Sequence, residues 1–193
     1  AAASIPVTDP SSRAAPACYT PPPMASVRDP LRQARRIVLK VGTRVATEGD
    51  NAFARGVMGP FVRQVAAARA APTAGGERSI IVVSSGAIAL GLNRMRVAER
   101  PKELAMLQAA AAMGQSRLMH AYEREFEAAG QETAQVLLTL EDIRSRARYL
   151  NIRNTIFTLW SFGVVPIVNE NDTVSYAEIR FGDNDIISAH LAA

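Results

Sequence analysis

Four short apolar runs constrain the fold more than any other feature of the chain: IVLKVG (37–42), SIIVVSSGA (79–87), TAQVLLT (133–139) and VVPIVNEND (164–172). Each has the length of a strand, is rich in β-branched residues, and is apolar at successive positions before a glycine or polar residues close it. Strands buried on both faces require helices above and below their sheet. The segments between the runs are long enough to supply those helices, and parallel neighbours need such crossovers. The expected fold class is therefore α/β, a three-layer α/β/α sandwich around an open, mainly parallel sheet.

Apolar spacing places a helix over 52–70, with Val57, Phe61, Val65 and Ala68 in phase and Pro72 and Gly75-Gly76 to stop it. A second covers 87–93. A long third runs from Pro101, in its first turn, to Ala128, with Leu104, Leu107, Ala111, Leu118 and Tyr122 on one face. The fourth covers 141–162, where Ile143, Ala147, Leu150, Asn154 and Phe157 recur at helical steps. Residues 1–34 hold seven of the 11 prolines and read as a disordered extension, leaving 35–193 as the folded part. Its arginines suit an organelle-targeting peptide, but its prolines oppose the amphipathic helix of such peptides. A plain extension and a cytoplasmic location are expected. No internal repeat is visible.

With 48% hydrophobic and 21% charged residues, disorder throughout is excluded. No run approaches the roughly 18 to 20 apolar residues of a membrane helix, so no membrane partner is expected. The single Cys18 excludes an internal disulfide and a cysteine-based zinc site, and His120 and His190 stand apart from other ligand types. No bound transition metal is expected. Residues 1–36 hold five arginines against two aspartates, which accounts for +3 of the net charge of +4. The remainder carries no signature of nucleic-acid binding. Arg144, Arg146, Arg148 and Arg153 do not share one helical face and lie beside Glu141 and Asp142, a solvated surface rather than an anion-binding patch.

Ligands of open parallel sheets gather outside the carboxyl ends of the strands. There the chain presents Lys40-Val41-Gly42-Thr43, Ser84-Ser85-Gly86-Ala87 and Asn169-Glu170-Asn171-Asp172, with Gly182-Asp183-Asn184-Asp185 before the helical Ile186–Ala189. Only Lys40 and Lys102 among 22 basic residues are lysines, so Lys40 at a strand end invites a specific role. Taken singly, the lysine is a snorkelling strand residue, the glycines are turn residues, and the acidic stretches are turns or helix caps. Together they supply a cation, backbone donors, a hydroxyl and carboxylates, a combination that suits phosphoryl transfer. The absence of GxxxxGK[ST] and GxGxxG patterns argues against P-loop and dinucleotide-binding proteins.

On these motifs residues 36–193 resemble the first part of the amino-acid kinase family, in the branch that phosphorylates glutamate. IVLKVGTRV (37–45), IVVSSGAIALG (81–91), AAAAMGQSRLM (109–119), QVLLT (135–139) and VPIVNENDTVSYAEIRFGDNDIISA (165–189) carry the resemblance. It implies the amino-acid kinase fold and attack by the γ-carboxylate of L-glutamate on ATP to give glutamyl 5-phosphate, the first step of proline synthesis. Lys40 then contacts the ATP phosphates beside Gly42 and Thr43, and Asp185 holds catalytic lysines. Ser85, Asp172 and Asn184 bind glutamate, with Gly86 and Ala87 as backbone donors near its reactive carboxylate. ATP with its Mg2+ and a homo-oligomeric assembly are also implied. The family pattern continues into a second half with the adenine pocket and another phosphate lysine. The expectation is that this chain holds the glutamate side and is not active alone, the alternative being a non-catalytic binding or assembly module.

Overall fold

The computed structural model describes residues 33–49, 51–71, 73, 76–175 and 183–193. Nearly all of the expected N-terminal extension, the stop signals Pro72 and Gly75, and Gly182 lie outside the described residues. Strands β1 (Arg36–Val41), β4 (Ser79–Ser84), β6 (Val165–Glu170) and β5 (Thr133–Leu138) form one sheet in that order, every neighbour parallel. Helices α1 (Thr43–Ala46), α2 (Arg55–Ala70), α3 (Ala87–Met95), α4 (Leu104–Glu127), α5 (Leu140–Arg144), α6 (Arg146–Ser161) and α7 (Asp183–Ala192) connect or follow them. Among the described residues no helix is long and apolar enough to cross a membrane.

Alternate strand residues feed two separate cores, which makes the three layers explicit. Leu39, Val41, Ile80, Val82, Val165 and Ile167 pack with α2, α3 and α4 through Met58, Val62, Leu90, Leu118, Tyr122 and Phe126. Val38, Ile81, Val83, Val136, Leu138 and Val168 pack on the other face with Ile143, Ile156 and Ile187 of α5, α6 and α7. The moves from β1 to β4 and on to β5 thus carry helices on one face. The step back from β5 to β6 carries them on the other, as a single crossover hand demands.

Three expectations need correction. A two-residue hairpin, β2 (Thr47–Glu48) with β3 (Ala52–Phe53), occupies the start of the expected first helix, turned by Gly49 and Asn51 at φ 53° and 60°. Such short strands leave no alternation to read. That helix buries Met58, Val62 and Val65, while Val57 is 50% exposed. The long helix begins at Leu104, after an extended Glu103 (φ −69°, ψ 124°), so Pro101 precedes it rather than occupying its first turn. The fourth helix is broken at Ser145, whose extended backbone (φ −79°, ψ 112°) ends α5 and starts α6. The break resets the phase, and Ile152, Ile156 and Trp160 pack inward in place of Ala147, Leu150 and Asn154.

Helices α3 and α4 cross at two glycines. A Cβ on Gly91 would stand 1.8 Å from the Ala110 carbonyl oxygen, and one on Gly114 would stand 1.7 Å from that of Ala87. Neither contact can relax without separating the helices. Gly114→Ala is therefore expected to destabilise the fold by about 3 kcal/mol. Gly56→Ala, with nothing within 4 Å of the added carbon, is expected to stabilise it by about 0.5 kcal/mol. Chemical denaturation of both variants beside the parent checks the pair.

Candidate functional site

The reversal of direction opens a crevice between β4, whose following chain turns to one face, and β6, whose following helix α7 packs on the other. A cleft of about 510 Å³ lies there. It is bordered by Lys40, Gly42, Thr43, Ser85, Gly86, Ala87, Asp172, Asn184 and Asp185, which are all of the residues singled out from the sequence.

Lys40 shares the face of Val38, two residues before it, and that face is covered by α7. Its Nζ lies 2.7 Å from Asp185 Oδ1 in the first turn of α7, the side chains 32% and 60% exposed. At that exposure the pair adds little stability, so its effect is to aim the ammonium. A Cβ on Gly42 would stand 3.6 Å from Lys40 Nζ, so the glycine leaves that side of the cation open. Gly86 adopts φ 121°, a conformation that suits glycine alone, and turns the chain from β4 into α3. The first amides of α3 thereby start at the cleft.

A carboxamide network joins the strand ends. Asn184 Nδ2 donates to Ser85 Oγ at 3.0 Å and to Asn169 Oδ1 at 2.8 Å. The backbone N–H of Glu170 donates to Asn169 Oδ1 at 2.9 Å and to Asn184 Oδ1 at 3.1 Å. Asn169 Nδ2 donates to Gln115 Oε1 at 2.8 Å. Asn169, Glu170 and Gln115 were not among the candidates. The signal for the first two is a polar pair ending an otherwise apolar strand, and that for Gln115, 54 residues from Asn169, is its place in the run 109–119 that carries the resemblance.

Carboxyls crowd the same end of the cleft. Burial first, then the neighbouring charges of Asp183 and Asp172, push the Glu170 carboxyl up to about 8, while Ser175 Oγ donates to its Oε1 at 3.4 Å. Burial and Asp183 push Asp172 up to about 6, against the opposing pull of Arg100. Among the described residues no group of three or more His, Cys, Asp or Glu is arranged to hold a metal ion. An ammonium and helix-start amides suit anionic oxygens, and the crowded carboxyls suit a cationic group, so the cleft matches a zwitterion beside a phosphate.

These features define an α/β/α ligand-binding protein whose site lies at the reversal point of a parallel sheet. The chain belongs to the amino acid kinase family, which it matches over residues 35–193. It is 52% identical over 159 residues to the glutamate 5-kinase of Geobacter sulfurreducens, covering 82% of this chain and 41% of that protein. The glutamate 5-kinase of Azoarcus sp. is 48% identical over 166 residues, with 86% and 43% covered, and that of Saccharophagus degradans is 49% identical over 167, with the same coverage. The chain thus spans less than half the length of the curated relatives it matches.

The raised carboxyls fix the sign of a pH effect. Glu170 and Asp172 bind protons more tightly folded than unfolded. Their contribution to stability is full below their ordinary carboxyl range and is lost as pH rises through about 6 and about 8. Stability is expected to fall between pH 5 and pH 8 on a scale of about one proton per group, and Glu170→Gln is expected to flatten the upper part of that slope. Denaturation at a series of pH values measures it.

Proposed function

We propose that this chain carries the glutamate-binding side and a phosphate-contacting lysine of an ATP-dependent glutamate 5-kinase, which makes glutamyl 5-phosphate for proline synthesis. One observation carries the reading. Lys40, aimed by Asp185, the Ser85–Asn184–Asn169 network and the carboxyls of Glu170, Asp172 and Asp183 border a single cleft. The names of the relatives supply the substrate.

The γ-carboxylate of glutamate is already a nucleophile, so no side chain has to remove a proton from it. The work of the chain is orientation and charge stabilisation. Ser85 and Asn184 orient the amino acid, Asp172 takes its α-ammonium, and the backbone of Gly86 and Ala87 approaches the γ-carboxylate. Lys40, with Gly42 and Thr43 beside it, stabilises charge on the transferring phosphoryl oxygens. Mg2+, carried with ATP rather than held by a carboxylate cluster of the described residues, would supply charge neutralisation at the phosphates. The reading extends to a cytoplasmic homo-oligomer with no nucleic-acid partner, on family resemblance alone.

In the full-length protein Lys40→Ala is expected to lower kcat by about 10²-fold or more with circular dichroism unchanged, assayed by trapping the acyl phosphate with hydroxylamine. An unchanged kcat removes Lys40 from the mechanism. Asp172→Ala and Asn184→Ala are expected to raise the KM for glutamate far more than that for ATP, since both remove contacts to the amino acid. Glutamate binding by a parent protein that consumes no ATP would instead mark a binding module.

A further inference from the structure

We propose that Gln115, on α4 and outside the lining of the cleft, is a positioning residue that holds the Asn169 side chain and, through it, the Asn184 amide in place against the bound amino acid. The inference rests on the glutamate reading above. A carboxamide has an oxygen end and an NH2 end of nearly equal shape, so a buried chain of amides is oriented by partners that can only donate or only accept. The Glu170 N–H can only donate, and it takes the oxygens of both Asn169 and Asn184. That turns the NH2 of Asn169 toward Gln115 Oε1, 2.8 Å away. Asn169 is 2% exposed, so water offers this NH2 no substitute partner.

Gln115 Nε2 donates in turn to Gln135 Oε1 at 3.3 Å on the edge strand β5. With Asn169 so held, its oxygen receives the Asn184 NH2, which also donates to Ser85 Oγ. The Ser85 oxygen is then engaged as an acceptor, which keeps its hydrogen for donation to an anionic oxygen. Without the Gln115 acceptor, the buried Asn169 NH2 is left without a partner, and the side chain shifts toward one. The Asn169 oxygen moves off the Asn184 NH2, and the hold on Asn184 and Ser85 is loosened. Lys40 and Asp185 stand outside this chain of amides, so the phosphate side is untouched.

The split between substrates is the test. Gln115→Met keeps the side-chain length and removes both polar ends. Gln115→Glu keeps an acceptor toward Asn169, and Gln135 can turn its own amide to meet the second carboxylate oxygen. In the full-length protein the Met variant is expected to raise the glutamate KM about tenfold and leave the ATP KM within about twofold, the Glu variant recovering most of the loss. In protein labelled with 15N-asparagine, the side-chain amide signals of Asn169 and Asn184 are expected to move in the Met variant and return in the Glu variant. An unchanged glutamate KM, equal rises in both KM values, or a Glu variant no better than Met overturns the proposal. If the parent forms no hydroxamate, the kinase reading falls by itself, and unmoved amide signals then overturn the orientation. Should the Met variant not fold, Gln135→Met at an exposed strand position replaces it. A selective rise in the glutamate KM supports the proposal, and no rise overturns it.

Discussion

Two helices can reach backbone contact only where neither presents a side chain, and the crossing of α3 and α4 at Gly91 and Gly114 is such a place. Both helices serve the cleft from that contact. The first begins at Gly86 and Ala87, directly after β4. The second places Gln115 one residue past the crossing and Tyr122 two turns further on the same face. The Tyr122 hydroxyl donates to Ser84 Oγ at 2.7 Å, and the Ser84 hydroxyl to the Ser85 carbonyl at 3.0 Å. Burial pushes the Tyr122 hydroxyl well above its ordinary range, so it stays a donor at any physiological pH. One helix thus grips the ends of β4 and β6, and it can do so only at the distance the glycines allow.

Topology explains why these ends belong together. Placing β6 between β4 and β5 reverses the direction of travel across the sheet and sends the chain after β6 to the opposite face. Helix α7 then lies under β1, with Leu191 in the same core as Val38. Its first turn meets Lys40 across the intervening strand. The ion pair joins residues 145 positions apart because sheet order and side-chain alternation both demand it.

Much of this was legible in the sequence where a pattern is local. The strands were visible as apolar runs, and the cleft residues as the glycine-bearing and polar stretches at their carboxyl ends, since alternation and strand ends depend on neighbouring residues only. Legibility failed where the outcome depends on distant partners or on single backbone angles. An extended Ser145 is enough to rotate the buried face of α6 from Leu150 and Asn154 to Ile152 and Ile156. The β2–β3 hairpin turns on two left-handed residues and has no periodicity. Gln115 stands in the run 109–119 that carries the resemblance, but nothing local ties it to Asn169 until the fold brings the two together.

The crowded carboxyls have a consequence of their own. Near neutrality Glu170 retains its proton for much of the time, and Asp172 loses its own only as pH climbs past about 6. The acidic end of the cleft is thus a loaded exchanger rather than a set of fixed charges. On the glutamate reading proposed above, an ammonium held there would supply the compensation that the proton gives and favour its release. Where one proton is displaced, apparent affinity is then expected to weaken by about tenfold for each pH unit of acidification below that group's own range. The charge at that end of the cleft is therefore set by the acidity of its surroundings as well as by the residues that line it.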